Sequence, residues 1–240
     1  MVPFAVLSAC GSFNTVLGTM SRVEGDRLTP TSYAMLGLLS VRPWTTYELA
    51  KQMRRNVRWF WPRAERKLYD EPKRLAQLGL ATAEEGATGR RTRTVYAITA
   101  AGRKRLRNWL AEPDFSAPTI ELEALLHLFF AENGSPEAAL TSLHRMREQS
   151  LAALHELSGM AEELAGRDED AFHDRRAMNA VTMELLVRIH EVIRDWTLWA
   201  QEETKTWPAA ERDGEPVLIG PGARGTGLFA AIAARRPEPS

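Results

Sequence analysis

The sequence predicts a mainly α protein in two parts. The first carries three helices, a two-stranded hairpin and a further helix; the second is all α. Three observations lead there. Apolar residues recur at steps of three and four over most of the chain. Residues 80–98 break that period with two short alternating segments around a glycine-containing turn. Charge is segregated: residues 28–110 carry 17 Lys and Arg against 6 acids, net +11, whereas residues 111–240 carry 12 against 23, net −11. The formal net charge of zero over 240 residues conceals this split. Such asymmetry points to a nucleic-acid- or membrane-binding part joined to something else. A hydrophobic share of 44% and a charged share of 26% exclude wholesale disorder and a fibrous repeat. The single cysteine, Cys10, excludes an internal disulfide and suits a reducing, cytoplasmic setting. No apolar run approaches the roughly 18 residues of a membrane span.

Residues 1–27 read as a dispensable or disordered extension. Met1 to Ser21 has no charged side chain, so it lacks the basic start of a secretory signal, and Met20 is an alternative start. A first helix follows over 28–40, with Thr29 as cap, Pro30 at its first position and apolar residues nearly all round. Arg42-Pro43-Trp44 breaks it. Thr45 or Thr46 caps a second helix, in which Leu49, Ala50, Met53, Val57 and Phe60 share helical spacing, and Trp61-Pro62 ends it.

A third helix is expected over 64–78, stopped by Gly79. Leu68, Pro72 and Leu75 share one side; Arg63, Arg66, Lys67, Asp70 and Arg74 fall near the other. Pro72 is awkward inside a helix, because it removes a hydrogen bond. Strands over 80–84 and 94–98 flank a tip holding Arg90, Arg91 and Arg93. Thr99 caps a fourth helix, expected to turn Leu106, Trp109 and Leu110 inward. This first part spans residues 28–111.

Residues 112–118 are a linker by composition. Residues 119–206 then read as a helical dimerisation and sensing part. Leu122, Leu125, Leu126 and Phe129 form one stripe, and Ser135-Pro136-Glu137 is a strong helix start. The last helix, over 172–205, carries Met178, Val181, Leu185, Ile189, Val192, Trp196 and Trp199 in one seam. So long an apolar seam usually wants a partner helix. Val181, Leu185, Ile189, Val192 and Trp196 are the candidate dimer interface, with packing inside the monomer as the alternative. Trp196 and Trp199, one turn apart, are candidates to line an aromatic effector pocket. Residues 207–240, rich in Gly and Pro, read as a flexible tail.

Helix, helix, basic helix, arginine-tipped hairpin, helix is the order of a winged helix-turn-helix. A helix fits the major groove and presents its side chains to base edges. Arginine offers a fork that matches guanine or phosphate. Arg63, Arg66, Lys67, Lys73 and Arg74 are the candidate contacts from the third helix; Arg90, Arg91 and Arg93 are those from the hairpin, reaching phosphates or the minor groove.

The runs LTPTSYAMLGLL (28–39), TYEL (46–49), FWP (60–62), Leu68-Tyr69, KRLAQLGL (73–80) and YAITAAG (96–102), followed by Trp109, resemble the PadR family of transcriptional regulators. The resemblance covers residues 28–205. It implies a homodimer formed through the C-terminal helices, repression of a promoter, and relief by a small, often aromatic, molecule. It also implies that Tyr69 contacts DNA. In one respect the chain departs from the family pattern: Asp70 follows that tyrosine where the family commonly has proline, and Pro72 stands where it commonly has leucine.

The partners expected are therefore a double-stranded inverted-repeat operator, a second copy of the chain and a small-molecule effector, with no membrane and no cofactor. An activator on the same fold, or a helical protein-interaction adaptor, are the alternatives. No catalytic or metal site is expected. His127, His144, His155, His173 and His190 form no metal-ligand pair, and no phosphate loop or dinucleotide fingerprint is present.

Overall fold

The computed structural model describes residues 27–62, 67–88, 91–112, 114–166 and 172–235. The extension before Arg27, together with Arg63, Arg66, Arg90 and the side chain of Arg91, lies outside the described residues. The chain divides between Phe115 and Ser116 into two compact units.

In the first unit, helix α1 (Pro30–Leu39) opens on a reciprocal cap. The Thr29 hydroxyl accepts the Ser32 N–H and the Ser32 hydroxyl accepts the Thr29 N–H. Met35, Leu36 and Leu39 of α1 are fully buried with Leu49, Met53, Leu68 and Leu75, which makes this helix the centre of the core. Strand β1 (Trp44–Thr45) follows where only a helix break was expected. Its Trp44 is 2% exposed and donates its indole N–H to the Leu38 carbonyl at 2.8 Å. Thr45 caps α2 (Thr46–Asn56), and Glu48 returns a carboxylate oxygen to the Thr45 N–H at 2.9 Å.

Helix α3 runs only over Glu71–Gln77, not over 64–78. Residues 68–70 form a turn, so Pro72 falls in the first turn, where no N–H partner is lost. The proline that looked awkward in the sequence marks the start of the helix. At the other end Gly79 takes φ +68°, its N–H bonds the Ala76 carbonyl and the Leu80 N–H bonds that of Leu75. This pair of bonds is the Schellman stop that a glycine permits.

Strands β2 (Ala81–Thr88) and β3 (Arg91–Ile98) pair antiparallel from Ala81↔Ile98 to Thr88↔Arg91, and β1 adds to the other edge of β3 through Trp44↔Tyr96. Helix α4 (Ala100–Ala111) does not turn its aromatic end inward: Trp109 is 40% and Leu110 65% exposed. Trp109 instead stacks on Tyr33 of α1, ring centroids 4.6 Å apart.

The second unit holds α5 (Glu123–Phe129), α6 (Pro136–Ala165) and α7 (Arg176–Lys205). Ser135 caps α6, its hydroxyl accepting the Ala138 N–H at 3.2 Å. The two long helices pack antiparallel. Arg176 at the start of α7 donates to the Leu164 carbonyl at the end of α6, while Leu140 and His144 share a recess with Gln201 and Lys205. Leu143, Met146 and Leu157 of α6 face Leu186, Thr197, Ala200 and Thr204 of α7 in the buried layer.

Residues 207–235, expected as a tail without structure, form a hairpin of β4 (Ala210–Arg212) and β5 (Glu215–Val217), then α8 (Gly222–Ala233). Asp213 and Gly214 both take positive φ, the geometry of a tight hairpin turn. Glu203 grips Arg224 through two bonds of 2.5 and 2.6 Å, and Gly220 lies so close to Trp207 that a side chain there would meet the ring at 2.9 Å. The Gly and Pro content that suggested disorder supplies turns and a close approach.

Candidate nucleic-acid interface

The first unit exposes basic side chains on α2, the turn before α3, and α3 itself. Thr45 and Glu48 fix the start of α2 and Leu49, Ala50 and Met53 bury one side, so Tyr47, Lys51 and Arg54 point outward. Desolvation pushes the Glu48 carboxyl upward, but the Thr45 N–H and hydroxyl and the Arg42 guanidinium outweigh it and hold it below its ordinary range. Arg42 also lies over the Trp44 ring at 3.4 Å, which ties the entrance of α2 to β1.

Of the residues singled out in the third helix, Lys67 and Tyr69 are exposed on the turn, and Lys73 is exposed on α3. Arg54 donates to the Tyr69 hydroxyl at 3.4 Å and so joins α2 to this group. On α3, Asp70, Lys73 and Gln77 share the exposed side, while Glu71, Pro72 and Leu75 are buried. Arg74 stands apart from Lys73. Its guanidinium meets the Glu71 carboxylate at 2.9 Å and the Arg27 carbonyl at 2.9 Å. Arg93 is exposed on β3, opposite Gly86. Arg103, Lys104, Arg105 and Arg107 extend exposed basic character along α4.

Sequence reasoning overlooked Tyr47, Lys51, Arg54 and Gln77. The signal was present for Lys51 and Arg54, which sit three apart opposite Leu49 and Met53. Gln77 became visible only once α3 was seen to begin at Glu71, because its face depends on where the helix starts.

Residues 35–108 match the transcriptional regulator PadR-like family, and residues 122–205 match the C-terminal region of virulence activator alpha proteins. Residues 35–108 form a PadR-like transcriptional-regulator domain. Among curated proteins, it is 25% identical over 138 residues to the negative transcriptional regulator PadR of Bacillus subtilis, covering 57% of this chain and 76% of that one. Among solved structures, the same B. subtilis PadR in complex with operator DNA is similar in fold, with a TM-score of 0.61 at 21% identity over 71% of this chain and 96% of that chain. Its complex with p-coumaric acid gives a TM-score of 0.57 at 21% identity over 73% and 97% of the two chains. The PadR-like unit therefore coincides with the basic surface, and the fold is the winged helix that the element order predicts. Neither family match extends past residue 205.

In the second unit, Val181, Leu185 and Val192 of the α7 seam are 67%, 60% and 66% exposed. Ile189 and Trp196 are half-buried. With Ile120, Leu122, Leu125 and Met146 they line an apolar groove of about 330 Å³, edged by Arg188. Trp199 is 47% exposed, its ring centroid 6.5 Å from that of Trp196. Burial lowers the pKa of His190, which favours its neutral form. Among the described residues no group of three or more His, Cys, Asp or Glu side chains could hold a metal, and no helix is long and apolar enough to cross a membrane.

Proposed function

We propose that the chain is a homodimeric repressor that reads an inverted-repeat operator and releases it when a small aromatic molecule binds the second unit. The observation that carries the DNA half is the exposed array of Lys51, Arg54, Lys67, Tyr69 and Lys73 within residues 28–110, which carry net charge +11. In this reading Lys67 and Tyr69 sit at the mouth of the major groove, Lys73 and Gln77 enter it, and Arg90, Arg91 and Arg93 grip the backbone beside it. Residues 28–111 form the DNA-binding part and residues 119–206 the dimerising and sensing part. The chain acts by binding rather than by catalysis.

The dimer reading is supported by the exposed seam of Val181, Leu185 and Val192, which is too apolar to face water alone. A two-fold dimer sets two copies of α3 on successive major grooves, about one helical turn apart. The repressor reading is supported by the name of the B. subtilis relative, a negative regulator, and the effector reading by the p-coumaric acid complex of that relative. In this chain the apolar groove beside Trp196 suits a flat ring. Coupling between effector and DNA need amount only to about 1–3 kcal/mol, or roughly 5- to 150-fold in affinity. A second reading, as an activator, is favoured by the virulence-activator match over residues 122–205.

The test is a gel shift on the promoter of the nearest divergent gene, repeated across a salt series. Operator affinity should fall steeply with salt as phosphate contacts release counterions. Lys67→Ala with Lys73→Ala should weaken binding while helical signal and mass stay unchanged. A flat salt response with unchanged binding by the double variant points instead to a protein-interaction adaptor.

A further inference from the structure

Helix α3 has little of its own to fix it. It spans seven residues, has no side-chain cap at its start and begins with a proline in its first turn. A helix this short is marginal in water and takes its orientation from tertiary contacts. Leu75 supplies apolar contact, but apolar packing is non-directional and tolerates rotation about the helix axis. The directional contacts come from Glu71.

Glu71 is 2% exposed and Ser32 of α1 is 0% exposed. The Ser32 hydroxyl donates to Glu71 Oε1 at 2.5 Å, and Arg74 Nη1 donates to the same oxygen at 2.9 Å. Ser32 Oγ in turn accepts the Thr29 N–H at 2.9 Å, and Arg74 Nη2 reaches the Arg27 carbonyl at 2.9 Å. One buried carboxylate thus ties α3 to the N-terminal end of α1 through a hydroxyl and a guanidinium. Buried ion pairs add little stability over apolar residues of the same size, and their best-attested use is to fix register.

We propose that Glu71 is a positioning residue for DNA reading: held by Ser32 and Arg74, it sets the rotation of α3 and so decides that Asp70, Lys73 and Gln77 face the bases. The inference rests on the DNA-binding function proposed above. It gives Arg74 a role inside the protein rather than on a phosphate. A turn of 100° per residue separates neighbouring side chains on a helix, so a rotation of a few tens of degrees is enough to aim Gln77 away from a base edge.

The test uses the full-length protein and two probes: the duplex that wild type selects from a randomised pool, and a random-sequence duplex of equal length. Glu71→Gln keeps the shape and an acceptor for Ser32 but removes the charge that holds Arg74; Arg74→Gln and Ser32→Ala break the other two ends. Each variant should lose tenfold or more on the selected duplex, with unchanged affinity and salt slope on the random duplex and a thermal midpoint still well above the assay temperature. Reselection with Glu71→Gln should return a changed consensus. Wild-type affinity of all three variants for the selected duplex overturns the proposal. So does an equal loss on both probes, which marks a fold defect, or a reduced salt slope for Arg74→Gln, which makes Arg74 a phosphate contact. If wild type itself selects no consensus, the DNA-binding reading fails first, and this outcome is distinct from the others.

Discussion

Replacing Gly102 by alanine is expected to destabilise the DNA-binding unit strongly. Gly102 lies in the first turn of α4, where that helix crosses the start of β2. A Cβ there would lie 2.1 Å from the Leu80 carbonyl oxygen and 2.9 Å from Ile98 Cγ1. The first neighbour is backbone and cannot rotate away, so α4 must retreat by about 1 Å to restore ordinary contact. Overpacking of this kind costs about 1–3 kcal/mol. Retreat also strains the bonds that dock the helix, Thr99 N–H to the Leu80 carbonyl at 3.1 Å and the Thr99 hydroxyl to the Gly79 carbonyl at 2.8 Å. Two such bonds contribute about 0.5–1.5 kcal/mol each. Alanine returns about 1 kcal/mol through its better helix propensity. The net is a loss of about 3 kcal/mol, or a fall in Tm of roughly 10–20 °C for a unit of this size. Calorimetry on the full-length variant measures it, with Gly37→Ala as the internal control. Gly37 lies in α1 with nothing within 4 Å of its virtual Cβ, so the same chemical change there should stabilise by about 0.5–1 kcal/mol. If Gly102→Ala melts within about 2 °C of wild type, or the two variants move together, the close approach of α4 to β2 is wrong.

Two further predictions concern the second unit. Val181→Asp combined with Leu185→Asp places charge on side chains that are 67% and 60% exposed, so the fold should survive while the proposed dimer dissociates; sedimentation should then report a monomer with unchanged helical signal, and a persisting dimer relocates the interface. The Arg224 guanidinium holds the Glu203 carboxyl below its ordinary value, with the Trp207 indole adding to the effect. A depressed folded pKa gives stabilisation that is complete above about pH 5 and is lost as pH falls through the lowered value. Acid should therefore release α8 before the rest of the unit, making the chain near residue 224 cleavable by an acid-tolerant protease; Arg224→Gln should be equally cleavable at neutral pH, and equal resistance of both proteins at both pH values refutes the tie.

Much of this fold was legible because its signals are local. Thr29-Pro30, Thr45 with Glu48 three residues on, and Ser135-Pro136 each announce a helix start by chemistry confined to one turn, and Gly79 announces a stop. What escaped notice depended on distant partners. Strand β1 has two residues and exists because β3 offers Tyr96 and Val95 to pair with. Trp109 is only part-covered, on the face that stacks on Tyr33, a partner seventy-six positions earlier in the chain. The start of α3 was misread because the periodicity of 64–78 outweighed Pro72, whose position says first turn rather than interior. The Asp213-Gly214 pair was a clear hairpin signal, discounted under a compositional impression of disorder. For the candidate site, the exposed basic residues of the turn and of α3 could be anticipated from charge and spacing. The burial of Glu71, which engages Arg74, could not, because it depends on a serine thirty-nine positions away.

If α3 is the reading helix, as proposed, its brevity limits how much information one copy can read. Seven residues at about 1.5 Å each make a rod of about 10 Å, which lies along about three base pairs of 3.4 Å. A three-letter word recurs about once in every 64 positions of random sequence, whereas a genome offers about a million or more competing sites. One such helix cannot single out a promoter. The two copies of the proposed dimer, held at a fixed separation, would multiply their words into an address rare enough to be found. In the proposed dimer, so short a reading head obliges the two copies to keep the right spacing, and any molecule that alters the spacing would erase the address without touching a single letter.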